Sequence, residues 1–169
     1  YLRQQCSSTS TFSYYHLIVL VHGYLGSDSE QSYLRDSLLQ KSSQQIINQR
    51  STCNDDHKFV ILSSKANLHN TTNGIVNGGE RLANEIRKFI IHQHRQQQQQ
   101  QQNEVVMTLS LIGNSLGGLY SRYAISQLQD LFLTTEYDTT NNRHQSQEIV
   151  VYPLLFCSTS SPHLGVQNE

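Results

Sequence analysis

Four short apolar runs set the rhythm of the chain: Tyr15 to Val21, Lys58 to Ser63, Val105 to Ile112 and Ile149 to Cys157. Each reads as a strand, and the first is the continuous β-branched and aliphatic run that a strand buried on both faces of a parallel sheet requires. Between them the apolar residues recur with a helical period. From Ser32 onward Leu34, Leu38 and Leu39 share one face, which Ile46 and Ile47 extend. From about Ile75 the same spacing returns in Leu82, Ile86, Phe89 and Ile90, with Glu85 and Arg87 off that face. After Ser115, the residues Leu119, Tyr123, Ile125 and Leu128 predict a third helix that buries one face. Strand and helix alternate from end to end, which predicts an α/β fold with right-handed crossovers. Pro153 interrupts the fourth run and predicts a bulge or an edge position, because proline has no N–H to give to a neighbouring strand.

The polar stretches change this picture only at its margins. Residues 1–13 read as a polar lead-in and 14–169 as the folded part, with Arg50 to Asp56 and Thr134 to Gln147 as connections. A glutamine-rich insertion at 96–103 reads as a surface connection with no catalytic role. At 169 residues the chain suits one domain with a core. Hydrophobic residues make up 36% and charged residues 15%, and Gln, Ser, Asn and Thr fill the deficit. A net charge of -1 gives no basic surface for nucleic acid. Cys6, Cys53 and Cys157 are widely spaced with no C-x-x-C, which fits reduced thiols in an intracellular protein, Cys157 within the core. The aliphatic run Leu17 to Val21 is far too short to span a membrane. His22, His57, His69, His92, His94 and His163 form no ligand pattern with nearby Cys or carboxylates, so neither metal nor cofactor is expected.

The candidate chemistry lies at the end of the third run, in Gly113-Asn114-Ser115-Leu116-Gly117-Gly118. G-x-S-x-G between a strand and a helix is the nucleophile elbow, a turn that exposes the serine oxygen at the carboxyl edge of a sheet. Gly113 and Gly117 suit so tight a turn because neither carries a Cβ, and Gly118 lets the helix pack close to the sheet. The N–H of Leu116 opens that helix and is free to face an oxyanion. A second donor is expected from the glycine-punctuated loop His22-Gly23-Tyr24-Leu25-Gly26, with the N–H of Tyr24 favoured and that of Leu25 the alternate. His22 is set aside as the base and read as a brace for this loop, since in the strand–elbow architecture the partners follow the serine in the order acid, then histidine.

Downstream of Ser115 the partners are thin. Asp130, Glu136, Asp138 and Glu148 lie in or beside a helix end and a polar loop, and His144 has no strand to position it. His163 stands at the correct edge, yet Pro162 and Gly165 suggest a shaped structural turn, so it is only a secondary candidate for the base. The acid and base of a triad are expected beyond Glu169.

These motifs carry a resemblance. His16 to Gly23, Gly78 to Ala83, Gly113 to Gly118 with Arg122-Tyr123, and Ser161 to Gly165 resemble the lipase-like serine esterases of the α/β-hydrolase superfamily (domain of unknown function 676), from about Tyr15 to Val166. The resemblance implies a mostly parallel sheet with flanking helices, of which these residues would form the central four strands, a partial domain. It implies Ser115 as nucleophile, and Leu116 with the His22-Gly23 loop as oxyanion hole. The substrates it implies are carboxylic esters of lipids such as acylglycerols or phospholipids, met inside cells in the cytoplasm or at membrane and lipid-droplet surfaces. Asn114 stands where that family usually has histidine, a change expected to alter packing near the elbow rather than the chemistry. The competing expectation is a non-catalytic module that keeps the fold to bind lipid or protein.

Overall fold

The structure, a computed structural model, describes residues 13–49, 56–100, 105–132 and 150–163. Its strands are β1 (Ser13–Val21), β2 (Asp56–Ser63), β3 (Val105–Asn114) and β4 (Val151–Thr159). Its helices are α1 (Ser32–Gln49), α2 (Gly74–Gln100) and α3 (Leu116–Gln127), with a short 3-10 turn at Gln129–Leu131. The strands form one sheet in the order β2-β1-β3-β4, and every pair is parallel. This is the α/β architecture of an α/β-hydrolase-type fold. The connections at 50–55 and 133–149, the lead-in before Ser13 and the chain after His163 lie outside the described residues, as do Cys6, Cys53, Glu136, Asp138, His144 and Glu148.

The core occupies one face of the sheet. Tyr15, Leu17, Val19 and Val21 of β1 and Met107, Leu109 and Leu111 of β3 point there, against Leu82, Ala83, Ile86 and Ile90 of α2 and Tyr120, Ala124 and Leu128 around α3. Strand alternation sends Tyr14, His16 and Ile18 to the opposite face, where they are only half-buried. Burial of the first run on both faces is therefore corrected: one face is sealed and the other partly covered. Among the described residues β4 is an edge strand, only Val151 in it is fully buried, and Tyr152, Leu154, Leu155 and Phe156 are exposed. The Pro153 expectation is met on both counts, since the register against β3 slips by one residue just after Pro153. Cys157 is half-buried rather than a core residue.

The helices also correct the pattern. In α3 the buried residues are Gly117, Gly118, Tyr120, Ser121 and Ala124, whereas Leu119, Tyr123 and Ile125 are only partly buried. Glycines and small side chains let the helix approach the strands closely, and the one bulky buried residue within it, Tyr120, turns to α2, where its ring lies against Gly78. Leu39, placed on the inner face of α1 by its spacing, is exposed. α2 continues through Gln100, so the glutamine tract begins as helix rather than as a connection.

The half-covered face holds a small polar cluster. His16 Nδ1 lies 3.0 Å from Thr108 Oγ1, and His16 Nε2 lies 3.1 Å from His57 Nδ1. The ring of His16 also stacks on Phe59. Burial first, and then repulsion from a protonated His57, hold the His16 imidazole below its ordinary value. A depressed histidine favours the neutral ring in the folded state, so its contribution to stability is present above the unfolded value of about 6.5 and is lost as pH falls. Thermal unfolding followed by circular dichroism should shift to lower temperature between about pH 7 and pH 5. The shift should be shallower in a His16→Gln variant, and an equal slope in that variant would contradict the assignment.

Candidate active site

The geometry at Ser115 follows from how tightly α3 is pressed against the sheet. β3 ends at Asn114 and α3 starts at Leu116, so one residue makes the whole reversal. Ser115 does so at φ 51° and ψ -122°, a conformation costing a non-glycine residue about 1–3 kcal/mol unless its surroundings enforce it. Here they do. The Ser115 N–H donates to the Thr159 carbonyl of β4 at 2.8 Å. The Ser115 carbonyl accepts from Ser161 Oγ at 2.7 Å and from the Gly118 N–H at 3.1 Å. The glycines make the approach possible. A Cβ on Gly117 would strike the carbonyl oxygens of Val21 and His22, and one on Gly113 would strike the Gly117-Gly118 backbone. One on Gly118 would land on Ser161 Oγ.

The loop after β1 closes over the serine. A Cβ on Gly23 would stand 2.9 Å from Ser115 Cβ and 3.5 Å from Ser115 Oγ. Counting the N–H groups of this loop shows which are free. Gly23 donates to Glu30 Oε2 at 3.1 Å, Leu25 to Thr71 Oγ1 at 3.1 Å, and Gly26 to the Gly23 carbonyl at 3.2 Å. Tyr24 N–H has no hydrogen-bond partner among the described residues. Leu25, the alternate donor, is already committed. The Leu116 N–H stands in the first turn of α3, where no carbonyl of the helix can reach it.

His22 is 2% exposed, and its Nδ1 lies 3.0 Å from the Gly23 carbonyl. A carbonyl only accepts, so Nδ1 carries the proton. Nε2 has no partner among the described residues. Neither nitrogen bonds Ser115, and the ring ties only to its own loop. His163 is likewise engaged elsewhere. Arg122 Nη1 lies 3.3 Å from its Nδ1 and Ser158 Oγ lies 2.9 Å from its Nε2. Arginine only donates, so Nδ1 accepts, and Nε2–H is left to donate to Ser158. Asp130 is held in a bidentate pair with Arg87, at 2.6 and 2.8 Å, and the Arg87 hydrogen bond keeps its carboxyl below the usual carboxylate range. Neither His163 nor Asp130 is brought to Ser115.

Several residues at this edge carried no role in the sequence reading. Glu30 receives the Gly23 N–H on one oxygen and Asn114 Nδ2 at 2.8 Å on the other. Asn114 Oδ1 in turn accepts from Thr159 Oγ1 at 3.2 Å. Glu30, Asn114 and Thr159 thus join the loop after β1 to the ends of β3 and β4. Asn114 therefore serves as a bridge rather than as packing alone. Thr71 and Ser161 are the other two. Neither has a periodic signal; Thr71 sits in an Asn- and Thr-rich loop, and only the Ser-Pro step marked Ser161.

A parallel sheet whose third strand turns through a strained serine into a closely packed helix defines an α/β-hydrolase-type protein. The chain belongs to the family described as Putative serine esterase (DUF676), whose model matches residues 12–169. No curated protein and no solved structure was found to match the chain. Among the described residues no three His, Cys, Asp or Glu side chains gather as a metal site needs, and no helix is long and apolar enough to cross a membrane.

The packing argument has a direct test. Gly117→Ala should lower unfolding stability by about 1–3 kcal/mol, the usual cost of overpacking a site that cannot give way, in a urea titration followed by circular dichroism. Undiminished stability would mean that α3 is free to move off the sheet.

Proposed function

We propose that the protein is a serine-dependent carboxylic ester hydrolase that works through an acyl-enzyme on Ser115. One observation carries this reading: Ser115 is held at φ 51° with Gly23 packed against its side chain, and the adjoining N–H groups, Leu116 after the serine and Tyr24 after the glycine, have no partner among the described residues. Ser115 Oγ attacks the ester carbonyl carbon, and the carbonyl oxygen becomes an oxyanion received by those two N–H groups. The Ser115 proton passes to a histidine that we assign outside the described residues, after an acid, in the order of strand–elbow hydrolases. Collapse breaks the ester C–O bond, the departing alcohol takes that proton, and the acyl group stays on Ser115. Water, deprotonated by the same histidine, then attacks the acyl carbon and releases the acid and free Ser115.

An apolar acyl group suits the surroundings. Tyr24 and Leu25, which follow the Gly23 that packs on Ser115, are 58% and 75% exposed, and Ile75 and Val76, a few residues after the Thr71 that binds the Leu25 N–H, are exposed as well. Exposed apolar side chains around a reactive group favour a substrate that can cover them. We therefore assign a lipid ester as substrate, met at a membrane or lipid-droplet surface inside the cell.

Full-length protein should be labelled by a fluorophosphonate at Ser115, located by mass spectrometry of the tryptic peptide. Ser115→Ala should abolish labelling and lower hydrolysis of p-nitrophenyl esters by at least about 10³-fold, and wild-type turnover should favour octanoate over acetate. Folded full-length protein that resists labelling would instead support the binding-module alternative.

A further inference from the structure

The two N–H groups of the proposed oxyanion hole come from segments far apart in the chain. Leu116 opens α3, while Tyr24 lies in the loop after β1. An oxyanion hole works only if the spacing of its donors is fixed, and a misplacement of about 1 Å can cost about 10²-fold. Something must hold Tyr24 at a set distance from α3. Gly23 on one side of it is held by Glu30. On the other side, Leu25 adopts φ 54°, which is unfavourable for a leucine and persists only under restraint.

We propose that Tyr120 and Thr71 yoke the two oxyanion donors together, as positioning residues. Tyr120 lies one turn beyond Leu116 on α3 and is fully buried. Its ring is seated against Gly78, where a Cβ would overlap it. Tyr120 OH donates to the Thr71 carbonyl at 2.8 Å. Thr71, 4% exposed, accepts the Leu25 N–H on Oγ1 at 3.1 Å. The chain of contacts thus runs from the helix carrying one donor to the neighbour of the other. Its middle segment is itself pinned. Asn67 Nδ2 donates to the Gly78 carbonyl at 3.0 Å, and Arg81 donates to Asn67 Oδ1 at 3.0 Å and to the Asn70 carbonyl at 2.8 Å. The loop after β2 is therefore a rigid strut between α2, α3 and the loop over Ser115.

A purely structural role would satisfy buried polar atoms and nothing more. The yoke predicts a specific kinetic signature, because it acts on the oxyanion and not on the ground-state ester. This inference rests on the hydrolase reading, and the experiment separates the two. In full-length protein, with p-nitrophenyl octanoate as substrate, Thr71→Val should lower kcat by about 10- to 30-fold and leave KM within about twofold, a fraction of what losing a whole donor costs. Thr71→Ser keeps the acceptor and should stay within about threefold of wild type. Tyr120→Phe keeps the ring and should lower kcat by about 3- to 10-fold. The double variant should be close to Thr71→Val alone, since both substitutions cut one chain. Inhibition by octyl trifluoromethyl ketone, which forms an anionic hemiketal on the serine, should weaken in parallel with kcat. Unchanged kcat in Thr71→Val, no rescue by Thr71→Ser, or a loss that appears in KM would overturn the yoke while leaving the hydrolase reading intact. Wild-type protein without Ser115-dependent turnover would overturn the hydrolase reading and the yoke with it.

Discussion

The close approach of α3 to the ends of β1 and β3 is the constraint on which the rest depends. Three glycines and the small residues Ser121 and Ala124 bring a helix to a distance at which Gly117 meets the carbonyls of Val21 and His22. A helix that close cannot be reached from β3 by an ordinary turn. Ser115 absorbs the reversal alone, at a backbone cost of about 1–3 kcal/mol. Three hydrogen bonds converge on its backbone, and at a net of about 1 kcal/mol each they match that cost in size. The strain is thus paired with restraint at the same residue. The pairing holds the turn in this conformation instead of letting it relax.

The same constraint explains why the carboxyl edge is polar where the core beneath it is not. Below the edge, β1 and β3 satisfy their backbone through the sheet, and their side chains meet α2 and α3 as plain hydrocarbon. At the edge the ladder stops, and each loop N–H needs another partner or water. Glu30 takes Gly23, Thr71 takes Leu25, and Thr159 takes Ser115. Within the loop over Ser115 and the first residue of α3, the N–H groups of Tyr24 and Leu116 are left without a partner among the described residues.

The fold was legible where hydrophobic period alone decides it. The strands and helices lie where the apolar runs place them, and the elbow announced itself because G-x-S-x-G states a local backbone requirement. Legibility failed where a tertiary distance overrides local pattern. Of the expected stripe Leu119, Tyr123, Ile125 and Leu128 only Leu128 is fully buried, and the helix itself buries Gly117, Gly118, Tyr120, Ser121 and Ala124, because the close approach to the strands puts its glycines and small residues on the inner face. In the fourth run Pro153 alone pointed to a bulge or an edge, and how far its apolar side chains stand exposed depends on neighbours that no run of residues can disclose. Glu30, Thr71 and Ser161 were invisible for a related reason. A polar residue in a polar loop acquires a task only when folding delivers a particular N–H or carbonyl to it, across 7, 46 and 46 positions respectively.

Asn114 shows how far such a task can shape a residue that the motif itself leaves open. It sits between a carboxylate that can only accept, Glu30, and a hydroxyl, Thr159 Oγ1, that reaches it as a donor. The orientation of its amide follows from this, with nitrogen toward Glu30 and oxygen toward Thr159. An aliphatic side chain would leave both partners unmatched, and a carboxylate would set two like charges 84 positions apart in sequence against each other. An amide offers a donor and an acceptor without charge, as does the neutral imidazole that relatives are expected to carry there. The position next to Ser115 is therefore constrained by its dual hydrogen-bonding character. That constraint comes from the loop above and the strand beside it, and the two residues it joins are those that fix the Gly23 N–H and the Ser115 N–H.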